Sequence, residues 1–243
     1  MWIQESVITQ ARHDTGLAYQ VQVVGVSGQL ALLALLWASV GLGLVGWLAG
    51  TACAVFTCAV LASALRRSRA RWLGPADRVT LARAVLVGGV TALVTDHLGE
   101  DAPVVVLVTL ASVALLLDAV DGQVARRTGT ASPMGARFDM EVDAFLILVL
   151  SVHVATSLGA WVLAIGAMRY VFVAATWVTP WLGSALPPSF ARKTVAALQG
   201  IVLVVACAGV LPRPVTAVSV GLALTLLVWS FGRDIVWLRR DRR

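Results

Sequence analysis

The chain has 243 residues, 59% of them hydrophobic and 13% charged, with a mean hydropathy of +0.86. Soluble domains run at about 45–50% apolar and about 25% charged residues, so this composition lacks the polar surface to cover a globule and excludes a disordered, collagenous or coiled-coil chain. The excess of 19 Lys+Arg over 13 Asp+Glu, +6 in all, falls between apolar runs instead of on one solvated face, which indicates lipid headgroups and topology and no nucleic-acid partner.

In chain order, the opening MWIQESVITQARHDTG is too charged for a signal peptide, and residues 1–23 read as a cytoplasmic or interfacial segment. Between Asp14 and Arg66 lie 51 residues without a formal charge. That suffices for two crossings of ~20 residues with a turn within residues 41–50, so residues 24–65 are expected to form a transmembrane hairpin. Residues 66–74 form a basic cytoplasmic linker. The next apolar run, 84–95, reaches spanning length only if its helix starts near Val79, with Arg83 at its cytoplasmic end. Further charge-free runs occupy 102–117, 144–168, 170–191, 194–212 and 214–232. The expectation is an all-α polytopic protein of about eight spans: the hairpin, a six-helix domain over 75–235, and a basic tail, 236–243.

The arginine-rich segments 66–78, 126–137, 192–193 and the C-terminus alternate with a side carrying Asp96, Glu100, Asp101 and a lone Arg213. Placing the arginines in the cytoplasm puts both termini inside a cell membrane, as an even number of spans requires. Cys53, Cys58 and Cys207 are odd in number and embedded in apolar runs, giving no disulfide framework. The three histidines show no metal spacing, and the nine tryptophans read as interface anchors.

The chemistry concentrates in residues 115–145, where Asp118 and Asp121 close one helix and Asp139 and Asp143 open the next. At 3.6 residues per turn, the i,i+3 pair shares one helix face and the i,i+4 pair another. A chain reversal between them lets the two pairs converge at the cytoplasmic rim. Four carboxylates at the edge of hydrocarbon repel one another and are costly. The natural compensation is a cation, and all-oxygen ligation points to one or two Mg²⁺ or Mn²⁺ ions acting beside phosphate. Gly122 and Ala125 keep the backbone accessible to a ligand, and Arg126 is placed to hold a phosphate. Glu141 lies ~200° around the helix from Asp139 and faces away from that pair.

The pattern Asp118-x2-Asp121-Gly122-x2-Ala125-Arg126-x8-Gly135-x3-Asp139-x3-Asp143 resembles the signature of the class I CDP-alcohol phosphatidyltransferase family at all eight positions. The resemblance covers roughly residues 75–235. It implies transfer of a phosphoalcohol unit from a CDP-linked donor to an alcohol acceptor with release of CMP, a phosphotransferase reaction of phospholipid biosynthesis, and it implies a homodimer. Carried over, Asp118, Asp121, Asp139 and Asp143 look like metal ligands, and Asp143 also resembles the general base. Asp121, Gly122, Ala125, Arg126, Ser132 and Gly135 look like contacts to the cytidine diphosphate. Residues 75–83, PADRVTLAR, resemble the family's Pro-x-Asn-x-x-Thr-x-x-Arg segment, with Asp77 in place of Asn and Thr80 retained, and these too approach the nucleotide.

Arg169 interrupts an otherwise charge-free span, which marks a functional hypothesis. Arg192 and Lys193 resemble the entry to the family's fifth core helix. All three are candidates for an anionic acceptor group, against structural pairing or positive-inside anchoring. The donor is expected to be CDP-diacylglycerol and the acceptor a small alcohol or alcohol phosphate. A soluble CDP-alcohol donor remains an alternative within the same chemistry. In another class altogether, the aspartates would form the transport site of a divalent-cation transporter, which calls for carboxylates near mid-bilayer on broken helices.

Overall fold

The computed structural model describes residues 22–68, 75–99, 102–128, 133–183 and 189–241, with backbone alone for 61–68, 75–77, 121–128, 133–134 and 241. Residues 1–21 of the N-terminal segment, 69–74 of the basic linker and 242–243 of the tail therefore lie outside the described residues, as do Glu100 and Asp101. Among the described residues the structure is all helical: α1 (Gln22–Val40), α2 (Leu44–Ser68), α3 (Pro75–Asp96), α4 (Val104–Thr128), α5 (Pro133–Leu158), α6 (Leu163–Val178), α7 (Phe190–Cys207) and α8 (Arg213–Asp241), with short 3₁₀ turns at Ala160–Val162 and Pro180–Gly183. Prolines open α3 and α5, where a missing N–H leaves no helical bond unmade.

Six of these helices, all but α2 and α4, are long and apolar enough to cross a membrane, and the remaining two contain shorter apolar stretches, Leu44–Val60 and Val104–Val120. The eight expected helices are thus present, while six satisfy the spanning criterion on their own. The turn expected within residues 41–50 is tighter than that window. It takes residues 41–43, with Gly41 at φ 74° and its N–H donating to the Trp37 carbonyl at 3.1 Å. Such a backbone conformation favours glycine.

The chain forms two compact units whose boundaries fall at the end of α3 and within α4 and α5: residues 1–96 with 110–142, and 97–109 with 143–243. In the first, α3 is the central helix, with 67% of its candidate span buried against 22% for α1. Small residues bring its neighbours close. A Cβ on Gly88 would meet Gln29 Oε1 of α1 at 2.4 Å, and one on Gly89 would meet Leu32 of α1 at 2.7 Å. On α2, Gly46 and Gly50 lie against Ala92 of α3. Lipid tails are as apolar as leucine, so helices in a bilayer associate through such close packing and through polar links. One polar link is explicit: the Asp96 carboxylate at the end of α3 accepts from the backbone N–H of Gly43 at 2.7 Å and of Gly46 at 3.0 Å. It caps the start of α2 and complements the positive end of that helix dipole.

In the second unit, Gly166 of α6 packs on the backbone of α5, where an added Cβ would lie 2.5 Å from Leu148 Cα. Gln199, 1% exposed, donates from Nε2 to the Ala223 carbonyl at 2.8 Å and joins α7 to α8. Phe172 and Phe231 meet edge to face at 5.3 Å between α6 and α8.

Two stability outcomes are expected in detergent melts. Asp96→Ala removes a carboxylate cap made to two N–H groups and lowers stability by about 1–2 kcal/mol, whereas Asp96→Asn, whose amide oxygen still accepts, loses less. Gly166→Ala forces α5 and α6 apart at a cost of about 1–3 kcal/mol, while Gly221→Ala, which has open space around it, is neutral or stabilising.

Candidate active site

The site begins with three buried stripes. On α3, Arg83, Val87, Val90 and Val94 lie on one face, each 2% exposed or less, and Thr80 precedes them by one turn at 5%. On α4, Leu107, Ala111 and Ala114 are fully buried, and the same face continues to Asp118. On α5, Phe138, Val142 and Leu146 form the buried stripe. Asp139 and Asp143 stand one residue around from it and are half-buried, while Met140 and Glu141 are exposed. The apolar stripes thus aim the carboxylates, and Glu141 faces away from the Asp139 face as its spacing implies.

Arg83 ties these helices together. Its Nε donates to the Ala114 carbonyl at 3.2 Å, one turn before Asp118 on α4. Its Nη1 lies 3.0 Å from Asp118 Oδ1 and also donates to Asp139 Oδ1 of α5. The arginine is 1% exposed, against 39% for the Asp118 side chain and 29% for that of Asp139. The cation is therefore sealed in, and the carboxylates look outward. Sequence reasoning placed Arg83 at the cytoplasmic end of its span and as the last position of the segment that approaches the nucleotide, without linking it to the aspartates; the structure bonds it to Asp118 and Asp139. The missed signal was periodicity, because Arg83 occupies the apolar stripe of α3, where an arginine needs a buried anionic partner.

One turn beyond Asp139 on the same helix, Asp143 completes a group of three: one carboxylate oxygen from each of Asp118, Asp139 and Asp143 lies within 4.8 Å of the others. Three hard oxygen donors at that separation suit a divalent cation such as Mg²⁺ or Mn²⁺. The fourth aspartate, Asp121, follows Asp118 on α4, as do Gly122, Ala125 and Arg126, but their side chains lie outside the described residues, as does that of Asp77 on α3. Ser132 lies outside them entirely. Gly135 is half-buried in the first turn of α5.

A family model matches residues 73–229, more than half of the chain, and it describes CDP-alcohol phosphatidyltransferases. The chain belongs to that family. No curated protein and no solved structure matches it. Membership makes the protein a membrane-embedded transferase of phospholipid biosynthesis, passing a phosphatidyl group from a CDP-alcohol, in a family that is in general divalent-metal dependent. The match begins within two residues of the Pro75 segment and takes in the whole aspartate pattern, so α1 and α2 precede it.

The three acceptor candidates lie in the second unit. Arg169 is half-buried on α6, and Lys193 is exposed at the start of α7. Beside it, Arg192 lies 3.6 Å from Asp234 of α8, a buried carboxylate that Arg233 also approaches at 3.7 Å. Arg233 in turn donates to Ser189 Oγ at 3.3 Å and stacks over Trp229. Because Arg192 is 31% exposed, its ion pair is worth under about 1 kcal/mol. Arg192→Ala is therefore expected to melt close to wild type, so that any rise in acceptor KM measured on it reports on substrate and not on folding.

Proposed function

We propose that this protein transfers the phosphatidyl group of CDP-diacylglycerol to a small alcohol or alcohol phosphate, releasing CMP, as a homodimer with its site and both termini in the cytoplasm. The observation that carries the reading is the approach of the Asp118, Asp139 and Asp143 carboxylates to within 4.8 Å inside the residues that match the family. Their position supports a lipid-linked donor. Asp118 lies near the end of the apolar stretch of α4 and Asp139 near the start of that of α5, so acyl chains can remain in the bilayer while the nucleotide stays in water. That placement at span ends also disfavours the transporter reading, which needs carboxylates near mid-bilayer.

Asp118, Asp121, Asp139 and Asp143 would hold one or two Mg²⁺ or Mn²⁺ ions. A bound divalent cation would neutralise the pyrophosphate oxygens and stabilise the leaving phosphate. Thr80, Asp77, Gly122, Ala125, Arg126, Ser132 and Gly135 orient the cytidine diphosphate. Asp143 takes the proton from the acceptor hydroxyl. The resulting oxygen attacks the β-phosphorus in line, a new phosphoester bond forms, and the pyrophosphate P–O bond breaks as CMP departs with the bridging oxygen. Arg169, Arg192 and Lys193 hold the anionic part of an acceptor phosphate.

The test is CMP release by the purified protein from CDP-diacylglycerol with a panel of alcohols and alcohol phosphates. Activity should require Mg²⁺ or Mn²⁺ and vanish with chelator. Asp143→Asn should lower the rate by about 10²–10⁴-fold while donor binding persists. An Asp143→Asn protein as fast as wild type removes the general base, and cation uptake into proteoliposomes without CMP release from any CDP-alcohol overturns the reading as a whole.

A further inference from the structure

The cluster of carboxylates already contains a cation, and it belongs to the protein. Arg83 is 1% exposed, bonded to the α4 backbone at Ala114 and to one oxygen each of Asp118 and Asp139. Resting on the reading of these aspartates as metal ligands, we propose that Arg83 is a positioning residue that serves as an internal counter-cation, holding the Asp118 and Asp139 carboxylates together before a divalent ion joins them.

The argument is electrostatic. Two carboxylates on different helices repel each other, and the half-buried setting weakens the screening that water would give. Without a positive charge between them, α4 and α5 could approach only with one carboxylate protonated or turned away. The guanidinium supplies that charge from α3 and is itself fixed by its bond to the Ala114 carbonyl, so it sets where the two oxygens stand. A carboxylate offers about four lone-pair sites over its two oxygens, so each aspartate can keep its bond to Arg83 and still ligate an ion. The two cations nevertheless share the same negative charge, so each weakens the other's hold. Binding linkage makes this reciprocal: Arg83 loosens the metal, and the metal makes Arg83 less necessary for stability.

A residue that merely pinned three helices together would lower stability equally with and without the ion. Arg83 as counter-cation predicts a different pattern. In detergent with chelator, Arg83→Gln should melt well below wild type, and Mn²⁺ should close most of that gap while moving wild type little. By equilibrium dialysis, Arg83→Gln should bind Mn²⁺ about fivefold or more tightly than wild type. Arg83→Lys, which keeps the charge, should show the wild-type dependence on Mn²⁺. Turnover of Arg83→Gln should fall in spite of the tighter ion, because the ligands are no longer held in place.

An Arg83→Gln protein unstable without ion should be recovered when Mn²⁺ is present throughout purification, and failure to fold even then overturns the proposal. So does a melting deficit that is the same with and without Mn²⁺, or unchanged or weaker Mn²⁺ binding. Absence of Mn²⁺ binding to wild type overturns the proposal together with the metal reading, and dialysis of wild type alone distinguishes that outcome from failure of the Arg83 role.

Discussion

One buried guanidinium holds the chemistry of this protein in place. Arg83 enters from α3 and meets the backbone and a carboxylate of α4 and a carboxylate of α5. A charge this deep is tolerated only when paired, and removing one partner of a buried pair typically costs about 3–5 kcal/mol. The stripes that aim the aspartates, the alanines at positions 111 and 114 that leave room on α4, and the valines that seal α3 all serve one geometry. Two acids are brought close because a base lies between them.

Much of this was readable from residues. The helical class followed from composition and the aspartate cluster from i,i+3 and i,i+4 spacing across one chain reversal. Charge-free runs did not give the helix boundaries: the break between α5 and α6 at residues 159–162 falls inside the run 144–168, and α4 continues to Thr128 through charged residues. The family match spans nearly the segment that the motif indicated. What escaped reading is what depends on contacts between helices. Arg83 read as the edge of a short apolar run and the last position of the nucleotide-approaching segment; its bonds to the aspartate helices appear only when α4 and α5 supply oxygens from 31 and 56 residues away. Arg192 likewise reads as a free basic residue until Asp234, on a different helix, is seen beside it. The tight turn at residues 41–43 was blurred because Gly41, Gly43, Gly46 and Gly50 all permit a reversal, and Gly46 and Gly50 instead serve close approach to α3.

The hairpin that precedes the family match is bound to the family's own first helix along most of its length. Gln29 and Leu32 rest on the Gly88–Gly89 pair, Gly46 and Gly50 rest on Ala92, and Asp96 caps α2. Arg83 and Asp96 are 13 residues apart on α3, about 20 Å along the helix axis. One end of α3 is therefore committed to the carboxylates and the other to the hairpin. The hairpin thus bears on how α3 is seated, and α3 carries the guanidinium.

The Asp96 cap has a consequence for biogenesis. Its two bonds join residues 53 and 50 positions apart, so during synthesis α2 is made well before the carboxylate that finishes its first turn. Until α3 arrives, those amides must be satisfied by water or headgroups, which holds that end of α2 at the bilayer surface instead of letting it sink. The end of α3 thus completes the first turn of α2.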